Sequence, residues 1–258
     1  MAAAPRDPLG RFTGLAHVYD RSRPSYPEAA VQAIIDRARL GPASLLVDVG
    51  CGTGISARLF AARGVPVIGI DPNDDMRARA EAMTPPPGGP APEYRQGTAE
   101  ATGLPDGCAA AVLAAQAFHW FDAPAALREF RRVLRPGGHV ALAGYERDEE
   151  DACTAAYGAV LRTGPEAAVV EGRRERTGGA LLQSPLFEGD ECATFPHEQE
   201  LDEDGLLGRA FSASYAPREP EAAAAFTRRL REVFAAHQRD GKVTLRYVTT
   251  VYLARRRD

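Results

Sequence analysis

Five short apolar runs, most of them followed by a helix-like stretch, fill residues 44–145, and that alternation constrains the fold more than any other feature of the chain. SLLVDVG (44–50) reads as a strand buried on both faces, because its apolar run is continuous rather than alternating. Residues 54–63 follow a helical spacing, with Ile55, Leu59 and Phe60 inward and Gly64 as the stop. PVIGID (66–71) is a second buried strand and residues 74–83 a second helix. EYRQG (93–97) is a short third strand, AAAVLAAQAF (109–118) a fourth and HVALAGY (139–145) a fifth. The alanines of 109–118 suit a helix equally, and the preceding turn LPDG (104–107) decides for a strand. Asp122 is the expected N-cap of a helix over 123–134, which Pro136-Gly137-Gly138 ends. TPPPGGPAP (84–92) has prolines at five of its nine positions and forms no regular structure. Strands and helices alternating through short connections predict a parallel, doubly wound sheet. Ligands of such sheets bind beyond the carboxyl ends of the strands, at the switch point beside the first.

The flanks read differently. Residues 1–24 are polar and irregular, and Pro27 opens a helix to about Leu40 whose apolar positions Ala30, Val31, Ile34, Ile35 and Ala38 form one stripe. After residue 146 the rhythm breaks. Segments 149–162 and 220–238 look helical, 191–201 and 242–256 look like strands, and the region between the helices is less regular. The two late strands are expected to complete the sheet as an antiparallel edge pair, with the helices roofing the ligand crevice. No second independent core is expected.

Composition removes several classes of function. With 258 residues, 45% hydrophobic and 26% charged, the chain has the ordinary globular balance, which excludes whole-chain disorder. A net charge of −4 gives no global basic field for nucleic acid. No apolar run approaches the roughly 20 residues that span a bilayer, and the first ten residues lack the apolar core of a signal peptide. These features predict a cytoplasmic protein with no membrane or nucleic-acid partner. The cysteines 51, 108, 153 and 192 form no C-x-x-C pair, and the histidines 17, 119, 139, 197 and 237 show no metal-ligand spacing, so no metal site is expected. Lys242 stands alone against thirty arginines, and alanine is abundant, as a GC-rich coding genome produces.

The chemistry concentrates in VDVGCGTG (47–54). Asp48 ends the first strand, and Gly50, Gly52 and Gly54 follow at alternate positions, where positive φ and bare backbone let a ligand approach. A second acid, Asp71, ends the second strand 21 positions after Gly50, placed to accept hydrogen bonds from both hydroxyls of a ribose. Gly52-x-Gly54-x-x-Ala57 also fits the dinucleotide fingerprint, which requires a diphosphate at a helix N-terminus. Asp48 argues against it, since a carboxylate at this corner repels diphosphate and suits a ligand with ammonium and sulfonium charge.

Taken in order, these segments resemble the class I S-adenosylmethionine-dependent methyltransferases. DVGCGTG resembles their first motif, GIDPNDDM (69–76) their second-strand motif, QGTAEATGLP (96–105) the segment after strand three, and LREFRRVLRPGGHVAL (127–142) their helix, turn and fifth strand. The resemblance covers residues 12–145 well and the rest loosely. AQAFHWFD (115–122) and FTGLAHVYDRSRPSYP (12–27) resemble the type 11, trans-aconitate methyltransferase-like subgroup, and SASYAPRE (212–219) fits it loosely. The proline-rich loop at 84–92 is a departure, longer than usual. The resemblance implies an α/β, Rossmann-like, doubly wound, seven-stranded sheet, mostly parallel with an antiparallel last strand, plus a mainly helical cap. Residues 1–40 become an N-terminal cap segment and helix, 41–147 the cofactor-binding core, and 148–258 the substrate cap and last strands of the same domain.

The same resemblance implies S-adenosylmethionine as cofactor. It places Asp48, Gly50, Cys51, Gly52 and Gly54 at the glycine turn, Asp71 on the ribose, and Pro72 and Met76 along the adenosine. Thr98, Ala99 and Glu100 approach the adenine, Gln116 and Ala117 flank the crevice after strand four, and Tyr19 and Arg23 lie near the methionine end. His119 is the candidate general base, because it falls just past the fourth strand and an imidazole deprotonates a hydroxyl near neutral pH. Cys51 between glycines reads as a small wall residue, with no base or cation in view to make it a nucleophile. Tyr19, Tyr145 and Tyr215 are possible pocket hydroxyls, and Trp120 and Phe121 suit either a lid or the core. The implied reaction moves a methyl group to an O- or C-nucleophile of a small metabolite, with natural-product biosynthesis as a suggested setting. Two alternatives stay open: a methyltransferase fold repurposed as a non-methylating catalyst or binding module, and a nicotinamide oxidoreductase. The second lacks a Tyr-x-x-x-Lys pair, since Lys242 is the only lysine. The sequence leaves the acceptor and the oligomeric state undetermined.

Overall fold

The structure is a computed structural model that describes residues 22–85, 87–163, 167, 170 and 177–258. Tyr19 and most of the irregular N-terminal stretch lie outside the described residues. Seven strands form one sheet in the order β3-β2-β1-β4-β5-β7-β6. They are β1 (Leu46–Val49), β2 (Val67–Ile70), β3 (Glu93–Arg95), β4 (Ala109–Ala115), β5 (Leu134–Arg147), β6 (Phe187–Leu201) and β7 (Val243–Arg256). The first five pair in parallel, and β7 runs antiparallel between β5 and β6. The order reverses at β1, which has β2 on one side and β4 on the other, and a crevice opens there beyond the strand ends.

The helices are α1 (Glu28–Ala38), α2 (Ile55–Ala61), α3 (Asp74–Glu81), α4 (Ala123–Val133), α5 (Ala152–Leu161), α6 (Thr177–Leu182), α7 (Glu203–Phe211) and α8 (Pro220–His237). The side chain of Asp122 caps α4 by accepting from the Ala125 amide at 3.0 Å. Both faces of the sheet are buried. Leu46 and Val67 pack with Val31 and Ile34 of α1 and Phe60 of α2, while Val47 and Val49 pack with Leu127 and Phe130 of α4. That is why β1 is apolar without alternation.

Three expectations need correction. The fourth strand ends at Ala115, because Gln116 adopts a left-handed conformation (φ 55°) and a 3₁₀ turn over Phe118–Trp120 follows. The fifth strand begins at Leu134: Ala109 pairs with Leu134 but Ala111 with His139, so residues 135–138 bulge out of register instead of ending the pairing. The C-terminal part also has a hydrophobic cluster of its own, in which Tyr157, Leu206, Phe226, Leu230 and Leu245 meet above the extended ends of β5 and β7. This cluster makes the cap a packed roof. The less regular region contains the helices α6 and α7, and α6 buries Leu181 against the sheet face that α4 also covers.

Candidate functional site

The β1–α2 turn is built so that backbone, not side chains, faces the crevice. Gly50, Gly52 and Gly54 have φ of 70°, 54° and 76°. At Gly50 an added Cβ would stand 2.6 Å from the Ala117 Cβ and 3.0 Å from the Phe121 ring, so glycine is required for packing as well as for φ. At Gly52 the same atom would meet nothing within 4 Å, which leaves the loop bare at the wall of a cavity of about 270 Å³.

Asp71 ties this turn to the end of β2. Its Oδ2 accepts from the Gly52 amide at 2.8 Å and its Oδ1 from the Asn73 amide at 2.9 Å, while Arg77 donates to its carbonyl at 2.7 Å. Burial pushes its pKa up, and the two amides and Arg77 pull the other way. Each oxygen has a lone pair beyond these bonds, and the residue lines the cavity. Three further amides of the turn are also engaged. Gly50 and Cys51 donate to the Ile70 carbonyl, and Gly54 donates to the Cys51 carbonyl. The amides of 50, 51, 52 and 54 are therefore spent within the protein, which leaves a diphosphate fewer N–H donors at this turn.

Of the residues singled out from sequence, Arg23, Gly50, Cys51, Gly52, Asp71, Pro72, Met76, Thr98, Ala99, Glu100, Gln116 and Ala117 all line the one cavity. Gly54 stands behind the wall as the N-cap of α2. Asp48 is completely buried beneath the turn and reaches the cavity only through Ser56, whose hydroxyl donates to Asp48 Oδ2 at 2.6 Å. Burial raises the Asp48 pKa to about 7; the Ser56 hydrogen bond opposes that rise and nearby Asp71 adds to it. Asp48 is thus a carboxyl under the floor, not a residue of the wall. The Cys51 thiol is held well above its ordinary pKa by burial and by the same two acids, so it stays neutral. Glu100 is exposed at the rim and accepts from the Asp122 amide at 3.0 Å.

His119 does not line this cavity. The 3₁₀ turn that follows Gln116 puts Trp120 and Phe121 on the cavity wall, and His119 on a separate space of about 110 Å³ bordered by Glu146, Thr250 and Tyr252. The position expected to hold a general base holds an indole and a phenyl ring instead.

Sequence reasoning passed over Tyr26, Ser56 and Asn73, which also line the cavity. Ser56 had a signal, as a hydroxyl in the first turn of α2 directly after the glycines. Asn73 caps α3 by accepting from the Met76 amide at 3.1 Å, which the PND sequence suggests. Tyr26 had none, because its approach depends on how the N-terminal segment lies over the sheet. Tyr145 is confirmed as a wall residue: it is 4% exposed, and its carbonyl accepts from Gln116 Nε2 at 2.7 Å. Tyr215 belongs to the roof cluster instead.

At the opposite end of the sheet a larger groove is bordered by Arg37, Arg39, Arg135 and Arg255. Arg37 pairs with Glu191 at 2.6 Å and Arg255 with Glu188 at 3.2 Å, all four side chains about half-exposed, where ion pairs contribute little. Among the described residues no group of three or more His, Cys, Asp or Glu could hold a metal ion, and no helix is long and apolar enough to cross a membrane.

Comparisons with known proteins agree with this geometry. A family described as a methyltransferase domain matches residues 47–142. An uncharacterized methyltransferase of Mycobacterium tuberculosis is 37% identical over 149 residues, which is 58% of this chain and 58% of that protein. The match therefore spans less than two thirds of that relative. The malonyl-[acyl-carrier protein] O-methyltransferase of Serratia marcescens is 31% identical over 192 residues, covering 71% of this chain and 68% of that protein. A solved structure from Anaeromyxobacter dehalogenans, described as a type II methyltransferase, is 26% identical and superposes with a TM-score of 0.61 over 91% of this chain and 97% of its own.

Proposed function

The chain belongs to the class I S-adenosylmethionine-dependent methyltransferases, and from that premise we propose that it moves a methyl group from S-adenosylmethionine to a nucleophilic oxygen or carbon of a small metabolite. The observation that carries this reading is the engaged turn. The amides of 50, 51, 52 and 54 are used internally, and Asp71, fixed by two of the chain's amides, offers its remaining lone pairs to the cavity. That arrangement suits a nucleoside and not a diphosphate.

The residues present fit the cofactor. Asp71 would hold the ribose, Pro72 and Met76 would border the adenosine, and Thr98, Ala99 and Glu100 would approach the adenine. Arg23, the one cation on the cavity wall among the described residues, would face the amino-acid end. When bound, S-adenosylmethionine supplies a methyl group made electrophilic by its sulfonium centre. The protein's part is alignment and exclusion. Alignment of two reactants is worth about 7–11 kcal/mol when the bound geometry is near attack. The bare turn lets the donor lie against the floor, while Trp120, Phe121 and Tyr145 wall off water. The Tyr145 hydroxyl, 3.5 Å from Arg23 Nη1, would add a polar group to the wall near the amino-acid end. Cys51, kept as a neutral thiol, is a poor rival nucleophile at the same wall. That one relative is an O-methyltransferase favours oxygen as the accepting atom.

Calorimetry with S-adenosylmethionine and S-adenosylhomocysteine tests the reading. Both should bind, NADH should not, and Asp71→Ala should weaken both by about tenfold or more, since each ribose hydrogen bond is worth on the order of 1 kcal/mol. Binding of NADH in preference, or an Asp71→Ala protein with undiminished affinity, would sink it.

A further inference from the structure

The roof holds a buried charge that no described carboxylate contacts. Arg209, on α7, is only 5% exposed. Its Nε donates to the Tyr247 hydroxyl at 3.2 Å, its Nη1 reaches Ser212 Oγ at 3.5 Å, and the guanidinium lies 5.7 Å from the Tyr247 ring centroid. Among the described residues no carboxylate is one of its partners. Burying a guanidinium, with five N–H donors, against two hydroxyls is costly, and an apolar residue of similar volume generally packs a helix on a strand at least as well. Packing α7 on β7 is therefore a weak reason for arginine here.

Its partners lead to the cavity. Ser212 is held to Arg209 twice: by the 3.5 Å contact, and by its own hydroxyl, which donates to the Arg209 carbonyl at 2.7 Å. The Ser212 carbonyl in turn accepts from Arg23 Nη2 at 2.9 Å, and Arg23 Nη1 reaches the Tyr145 hydroxyl at 3.5 Å. Tyr247 packs edge-on against Tyr145, with ring centroids 5.5 Å apart. Arg23 and Tyr145 line the cavity and Arg209 does not. Two guanidiniums thus meet at Ser212, a buried one at its hydroxyl and one from the cavity wall at its carbonyl.

We infer that Arg209 is a positioning residue of the site: through Ser212 and Tyr247 it fixes Arg23 and Tyr145, so that the roof presents an immobilised positive charge to the carboxylate of the cofactor's amino-acid end. This rests on the reading of the cavity as an S-adenosylmethionine site.

The test compares S-adenosylhomocysteine with 5′-methylthioadenosine, which keeps the nucleoside and thioether but has no amino-acid end. In calorimetry on the full chain, wild type should prefer S-adenosylhomocysteine. Arg209→Met should lose about tenfold for S-adenosylhomocysteine, as expected for a charge-assisted contact set loose, and stay within about twofold for 5′-methylthioadenosine. Arg209→Lys should recover part of the difference. A purely structural role would lower both affinities together or neither, and either outcome overturns the inference while leaving the cofactor assignment standing. Wild type that binds neither compound overturns both. If Arg209→Met gives no cooperative melt, Tyr247→Phe carries the test, since it removes only the hydroxyl beneath the guanidinium. It should shift the same ratio about two- to threefold, and an unshifted ratio rejects the idea.

Discussion

At the floor of the cavity the groups that matter come from Asp48 to Asp71, a span of consecutive chain in which two strand ends and one turn lie side by side. At the roof they come from Arg23, Tyr145, Arg209, Ser212 and Tyr247, drawn from four separate parts of the sequence. The floor is acidic and works through backbone geometry: positive φ, spent amides and the absence of Cβ atoms. The roof is basic and works through side chains linked end to end. The contrast implies different weaknesses. A floor of packed backbone fails abruptly when an atom is added, whereas a roof of linked side chains fails by degrees.

The sharpest attempt to break that contrast is Gly50→Ala. A methyl group there meets the Ala117 Cβ at 2.6 Å, and that atom is anchored to backbone and cannot swing aside. Overpacking and the positive φ together should cost about 2–5 kcal/mol of stability. Urea unfolding would show it, with binding of S-adenosylhomocysteine lost. A Gly50→Ala protein as stable as wild type would mean that the floor yields like the roof.

A second test uses the buried acid. The Asp48 pKa is about 7 in the folded state against 3.8 ordinarily, so between these values the folded protein holds a proton that the unfolded chain has released. Stability must then fall as pH rises from about 4 to 7 and be unaffected by this group outside that window. Asp48→Asn removes the titration. Its stability relative to wild type should rise by on the order of 4 kcal/mol between pH 4 and pH 8, measured by urea midpoints. A difference independent of pH would return Asp48 to the cavity wall as an ionised residue.

The smallest effect is expected from His119→Ala. Because His119 borders a separate space, the variant should bind S-adenosylhomocysteine as wild type does and lose within about 1 kcal/mol of stability. In a methyl-transfer screen with any acceptor found for wild type, its turnover should also persist. A collapse of turnover with affinity intact would restore the histidine as the base.

The units β1–α2, β2–α3 and β4–α4 were legible because each depends on local rules, a continuous apolar run for a strand buried on both faces and a 3–4 spacing for its helix. The glycine turn and Asp71 were legible for the same reason: a turn that needs positive φ at alternate residues leaves few options but glycine. α7 was not. LDEDGLLGRAF has glycines 205 and 208, which weaken a helix, and Gly208 is there because Ser22 crosses the helix: a Cβ on it would meet the Ser22 hydroxyl at 2.6 Å. Similarly, Gly178 in α6 gives room to the Tyr252 ring. The place of His119 turned on orientation. One left-handed residue, Gln116, followed by a 3₁₀ turn, decided which side of the strand end each of the next side chains would take.

The sequence alone determined the alternation of strands and helices in the sheet's parallel half, the glycine turn and the acid that grips it, because hydrogen bonding and φ preferences act over a few residues. Only the tertiary structure decided that Asp48 lies under the floor, that Trp120 and not His119 faces the cavity, and that Arg209 stands behind Arg23. Those outcomes depend on which distant segments come to share one volume, and on the loss of water when they do, which no short stretch of sequence encodes.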